Sequence, residues 1–295
     1  MTAQDFRFKR YKLPPEAFAI GPEKEPEPTD MVDEETWRNL VWLTDNVSLR
    51  TSEHHGTLLR QANQFVGYWI ALVLDLQSLV ADPREDALAL TCLDAHDDFQ
   101  ASLYSMLTGF YRQAIASLRT AMEAVLTGAY FRLFPEPSKF QLWADGYREG
   151  QIWMKTIRHD LKQREPYSQF EKGEHPFLGK GGWVEFLYSR LSEFSHGRPF
   201  YMDEDGHQIP TSNVGLWGGS NGPVYEPRSV RLWSTFFSDI ALLCLLLVGL
   251  AEGQIRKLEK PEEIGFLEFV RRIWSWHPGP SPTAKGIARV LGIEV

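Results

Sequence analysis

The sequence predicts an all-α protein, and three observations carry that expectation. Apolar residues recur at helical rather than strand spacing along most of the chain. Prolines fall between those stretches and not inside them. Strand-like turn chemistry is concentrated in one Gly- and Pro-rich insertion, residues 197–226.

The composition suits one folded unit. The chain has 295 residues, of which 43% are hydrophobic and 13% aromatic, so it can bury a sizeable core. The net charge of −8 excludes an extended nucleic-acid groove, which needs a basic stripe, and leaves room for a small local basic site. The two cysteines, Cys92 and Cys244, sit in apolar helical contexts and read as buried free thiols. No apolar stretch of signal-peptide length opens the chain. The apolar run Ile240–Ala251 is, at about 12 residues, too short to span a bilayer. A cytoplasmic protein without a membrane partner is therefore expected.

Residues 1–32 carry Pro14, Pro15, Pro22, Pro26 and Pro28 and read as a flexible N-terminal arm. Residues 33–295 read as a single all-α domain with its core at about 84–200. Asp33 is a natural N-cap, followed by Glu34 and Glu35 in the first turn of a helix over 33–50. A second helix over 53–81 carries Leu59, Phe65, Trp69, Leu72 and Leu76, and Asp82-Pro83 ends it. A long third helix over 84–133 stops at Pro135 and Pro137 and is expected to lie at the centre of a bundle or to kink. Further helices are predicted over 138–165, 181–196 and 227–259, another from Pro261, and a short one after Ser281-Pro282. Within the insertion, "DEDGH" and "GGSNG" each suit the turn of a small hairpin.

On the long third helix, Leu103, Leu107, Phe110, Ala114, Leu118, Met122 and Val125 share one face. Asp98, Ser105, Thr108, Arg112, Arg119 and Glu123 line the opposite face, and the i, i+4 spacing of Arg119 and Glu123 allows them to pair. That stripe is either a solvated face or a buried polar seam covered by the 181–196 helix. On the latter helix Trp183, Leu187, Leu191 and Phe194 are apolar, while Ser189, Ser192 and His196 line another side. Gly197 and Pro199 close it, placing His196 in the last turn, where the helix dipole favours a protonated imidazole suited to proton transfer.

The pairing of "GFYRQAIASLRTAMEA" with the later "YSRLSEFSHG" resembles the HEPN-like helical superfamily, in particular its prokaryotic, abortive-infection-like branch. The resemblance covers residues 90–200 and implies a HEPN-like helical bundle with an irregular insertion. It also implies one of two functions. The first is a non-catalytic module binding a nucleotide, an RNA or a protein partner through a polar groove made by Arg112, Glu123, Ser192 and Ser195. The second is a metal-independent endoribonuclease of toxin or antiviral-defence type. In that case Arg190, or alternatively Arg119 from the neighbouring helix, would bind the scissile phosphate and His196 would serve as the general acid/base. Arg190 and His196 point about 120° apart on a straight helix, so they converge only through distortion of the helix end or across a homodimer, the arrangement usual in the nuclease members that the resemblance implies. Neither function implies a cofactor or a metal.

Other patterns are weaker. Asp94, His96, Asp97 and Asp98, with Glu53, His54 and His55 on the preceding helix, are residue types able to hold a metal if the helices face each other. Arg50 with His55, and Arg271 and Arg272 with His277, stand five or six residues apart, in the same spacing window as Arg190 with His196, and such matches are expected by chance at this composition. No phosphate-cradling glycine motif is present: 215–222 is Gly-rich but has no Lys.

Overall fold

The computed structural model describes residues 33–79, 86–165, 167–171, 182–195, 200–202, 208–210, 223–252, 265–276 and single positions between 284 and 291. The expected arm at 1–32 lies outside these residues. Among them the protein is a bundle of α-helices with one short antiparallel strand pair.

Asp33 caps the first turn as expected, accepting from the Thr36 amide at 2.9 Å. Helix α1 (Glu34–Trp37) runs through a π-helical turn (Arg38–Trp42) into α2 (Leu43–Ser78). The two helices expected over 33–50 and 53–81 are thus one continuous run. Its break is a kink at His55, where φ is −131° and ψ is 26°.

The predicted 84–133 helix is instead a helical hairpin, α3 (Ala87–Leu107) and α4 (Tyr111–Leu133). The chain reverses at Thr108–Phe110, with Gly109 at φ +88° in the left-handed region that favours glycine. The antiparallel packing shows in two contacts. The Ser102 hydroxyl donates to the Ala114 carbonyl at 2.7 Å, and Gly128 lies against Thr91 and Leu88. The apolar pattern misled because Leu103, Leu107, Phe110 and Ala114 stay in helical phase across the turn. Asp98, Ser105 and Thr108 therefore belong to a different helix from Arg112, Arg119 and Glu123, and the single polar stripe does not exist as such.

The predicted 138–165 helix is also broken, into α5 (Pro137–Ala144), a 3₁₀ turn (Arg148–Gly150) and α6 (Met154–Lys162). Gly146, at φ +76°, ends α5. A second 3₁₀ turn (Tyr167–Glu171) precedes α7 (Trp183–Ser195). Strands β1 (Phe200–Met202) and β2 (Gln208–Pro210) pair with Tyr201 opposite Ile209, so the insertion does hold a hairpin, and β2 runs beside the next helix. The "DEDGH" and "GGSNG" turns lie outside the described residues. Helices α8 (Pro227–Glu252) and α9 (Phe266–Trp276) complete the bundle.

Helix α4 packs on α3, α8, α7 and α6 and is the hub of the fold. Phe65, Trp69, Phe99, Phe237 and Phe269 interlock where α2, α3, α8 and α9 meet, with several pairs edge to face. The Trp69 indole N–H donates to the Cys92 carbonyl at 2.8 Å. The Trp233 N–H donates to Ser102 Oγ at 2.9 Å, so Ser102 ties α8, α3 and α4 together. Helix α8 is long and apolar enough to cross a bilayer by length and composition, yet every residue from Ile240 to Val248 is buried in the bundle. Cys92 and Cys244 are free and buried, and burial pushes both thiols well above their ordinary pKa.

Candidate functional site

The helix wheel brings Arg112, Arg119 and Glu123 to the side of α4 that α7 covers. Arg119 Nε donates to Glu123 Oε1 at 2.8 Å, and its Nη2 donates to the Tyr188 hydroxyl of α7 at 2.9 Å. The Arg119 side chain is 18% exposed and Glu123 30%, so the pair forms a polar seam and not a surface salt bridge. Burial works to lower the Arg119 pKa, but the bond and charge of Glu123, with Tyr188, outweigh it and hold the pKa above its ordinary value. About two turns earlier, Arg112 Nε donates to the Phe194 carbonyl at 2.7 Å, satisfying an orphan acceptor at the C-terminal end of α7.

Helix α6 adds a third cation. Arg158 pairs with Glu185 of α7, and its guanidinium stands 4.9 Å from the Tyr188 ring centroid. The Arg119 guanidinium lies 4.7 Å from the same centroid, so Tyr188 is held between two guanidiniums. Sequence reasoning missed Tyr188 and Arg158. Tyr188 stands on α7 beside Ser189 and Ser192, but its role depends on which helix covers it, and that is not periodic information.

The expected ligand-binding serines turn inward on their own helix. Ser192 Oγ donates to the Tyr188 carbonyl at 2.6 Å, and Ser195 Oγ lies 3.5 Å from the Leu191 carbonyl. Arg190 is not brought to the seam. It stands on α7 two residues from Tyr188, about 160° away around the helix at about 100° per residue. There its Nη1 is 3.9 Å from Glu193 Oε2, and its guanidinium lies 5.7 Å from the Phe186 ring centroid. Arg119 and Arg190, the two alternative phosphate binders, therefore lie on different flanks of α7. His196 lies outside the described residues.

The acidic residues of α3 do not meet the histidines of α2. His54 and His55 turn toward Tyr225, while His96 Nδ1 sits 3.3 Å from Asp97 Oδ1 on α3 itself. Among the described residues no group of three or more His, Cys, Asp or Glu is placed to hold a metal ion. Asp98 is half-buried; burial first, then the charges of Asp94 and Asp97, push its pKa up to about 6. The folded state therefore binds this proton more tightly than the unfolded one, whose value is 3.8. The ionised carboxylate costs stability above about pH 6, and the cost fades as pH falls toward 4. Asp98→Asn is accordingly expected to raise the melting temperature at pH 7 and to have little effect at pH 3.5, which thermal melts across that range will read.

At the far end of the hairpin, Arg132 bridges Asp86 at 2.5 Å and Glu252 at 3.0 Å, and Asp86 also caps α3 through the Ala89 amide at 2.9 Å. Asp86 and Arg132 border a cleft of about 420 Å³ walled by Phe131, Phe140, Pro135 and Pro137. Both Asp86 oxygens are committed to those bonds, so the group reads as a staple joining α3, α4 and α8.

A further constellation stands where the kink of α2 meets Tyr225, just before α8. His55 Nε2 is 3.0 Å from the Tyr225 hydroxyl, and the His54 ring stacks on Tyr225 at 5.7 Å with planes 26° apart. Glu226 anchors this segment: its amide donates to the Tyr111 hydroxyl at 3.0 Å, and its carboxylate accepts from the Ser229 amide. No family model, curated protein or solved structure matches this chain.

Proposed function

We propose that the chain is a non-catalytic HEPN-like helical module that binds a nucleotide, an RNA or a protein partner on the α4–α7 side of the bundle. One observation carries the choice of binding over catalysis. The seam arginines are bonded to protein acceptors: Arg119 to Glu123 and Tyr188, Arg112 to the Phe194 carbonyl. Arg190 stands on the other flank of α7. General acid–base and phosphate-clamping chemistry needs its groups within hydrogen-bond reach of one reacting centre. A guanidinium already bonded on two sides inside the protein offers a ligand little of its fork. In this reading the seam fixes α7 as a rigid shelf, and the partner meets the outer surface of that shelf.

The test is an RNA-cleavage assay with chelator present, comparing wild type with His196→Ala. The expected result is intact RNA with both proteins. Shortened RNA with wild type and intact RNA with His196→Ala would overturn the proposal and establish the metal-independent endoribonuclease, with its homodimer, in its place.

A further inference from the structure

Helix α1, the π-helical turn and the start of α2 form one continuous run, and its first turns bury nothing. No residue of Glu34–Trp42 is buried. Val47 is the first buried side chain of the run, and it lies against the Gly109 turn. A helix surface left in water is ordinarily polar. This one is not. Of the ten large apolar side chains that stand exposed among the described residues, four fall within thirteen positions: Trp37 at 37%, Leu40 at 66%, Trp42 at 54% and Leu49 at 71%.

The π turn decides which of them line up. In an α-helix, residues five apart point about 140° apart. The π turn closes its hydrogen bond over five residues, the Leu43 amide donating to the Arg38 carbonyl, so Trp37 and Trp42 stand one above the other. Leu49 is seven residues beyond Trp42, close to two α turns, and returns to the same side. Trp37, Trp42 and Leu49 thus make one apolar stripe, with Leu40 to one side of it. Without the π turn the two tryptophans would fall on different faces, and π turns within α-helices are frequent at functional sites.

The charges along this helix are arranged symmetrically about Trp42. Glu34 lies eight residues before it and Arg50 eight after, while Arg38 lies four before and Asp45 three after. All four residues are exposed. Laid antiparallel on a second copy, with the two-fold axis at Trp42, the helix sets Glu34 opposite Arg50 and Arg38 opposite Asp45, and each pair occurs twice. Both pairs place the axis at the same residue. A parallel arrangement would set each charge against itself. Residues 33–50 carry four carboxylates and two arginines, and that excess of negative charge opposes an anionic membrane surface, the other setting that a Trp-rich helix face suits.

We propose that the chain forms an antiparallel homodimer through the helix Glu34–Arg50, with Trp42 on the two-fold axis and Trp37 and Leu49 covered by the second copy. The apolar stripe gains the contact that it lacks in the monomer. The two kinds of charge pair fix the register and the antiparallel direction. Helix α7 takes no part, so this association differs from the homodimer that the nuclease reading implies. It shares no side chain with the α4–α7 seam and stands or falls separately from the binding function proposed there.

The experiment is sedimentation equilibrium of the full chain, wild type beside variants. Wild type is expected at twice the monomer mass at micromolar concentration. Trp42→Ala is expected to weaken the dimer about thirtyfold or more, because a central tryptophan is a frequent hot spot and here counts twice. Leu74→Ala, at an exposed position further along α2, is expected to leave the mass unchanged. Arg38→Glu and Asp45→Arg each set like charges opposite one another and are expected to weaken the dimer about tenfold. Combined in one chain, the two substitutions restore both attractions and with them the wild-type mass. Every substituted position is exposed, and circular dichroism spectra matching wild type check that each variant is folded. A wild type that stays monomeric at about 100 µM, far above the expected dissociation constant, would overturn the proposal. So would a dimer indifferent to Trp42→Ala, or a double charge variant no tighter than the single ones. A monomer that binds phosphatidylserine vesicles, and loses them with Trp42→Ala, would overturn it too and give the face to a membrane.

Discussion

Trp233→Ala should lower the free energy of unfolding by about 3–5 kcal/mol, the range for removing a large buried aromatic side chain. Trp233 is fully buried in the second turn of α8, its ring packed on Phe237. The loss has two parts. The ring leaves a cavity that the close-packed helices around it cannot collapse to fill. Its N–H also stops donating to Ser102, whose own hydroxyl holds the Ala114 carbonyl. Trp233→Phe separates the parts: it keeps most of the volume and drops the donor, and should cost less than the alanine variant. Chemical denaturation monitored by circular dichroism reads both.

Gly128→Val should cost about 3 kcal/mol, at the upper end of what overpacking a core takes. Elsewhere in a helix, replacing glycine by a residue with a Cβ is favourable, since glycine is about 1 kcal/mol poorer than alanine. At Gly128 a Cβ would collide with Thr91 Oγ1 and stand 3.1 Å from Leu88 Cα and 3.2 Å from the Ala87 carbonyl oxygen. Thr91 has little freedom to retreat, because its hydroxyl is bonded to that same carbonyl at 2.9 Å. Even Gly128→Ala should therefore lose stability. Gly67→Ala in α2, where nothing lies within 4 Å of the added methyl, should gain it. Opposite signs for one substitution at two helical glycines would locate the close approach of α3 and α4.

Those packing details mark how far the sequence could be read. The all-α class was legible because periodicity and proline placement are local signals. Asp33 as N-cap, the start of α8 at 227 and the burial of Ile240–Val248 within that helix were legible for the same reason. The hairpin was not. Its reversal at Thr108–Phe110 leaves the apolar phase unbroken, and only Gly109 marks the place where a C-terminal cap ends α3. Gly146, also in the left-handed region, carried the same overlooked message in the 138–165 stretch.

The seam was half legible. Arg119 and Glu123 announce themselves by their spacing along one helix, whereas Tyr188 lies 69 residues from Arg119 and is joined to it only by the fold. Tyr225 is further still, 170 residues from His55.

The claim at the centre of this account is that the α4–α7 seam spends its charges inside the protein. A double-mutant cycle on Arg119→Met and Tyr188→Phe, read by denaturant unfolding, tests it most directly. Residues in one hydrogen-bonded network couple, so the two substitutions together should cost less than the sum of their separate costs, by about 1 kcal/mol. Additive effects, with Arg119→Met costing nothing, would contradict the account and leave the Arg119 guanidinium to a ligand instead of to Tyr188.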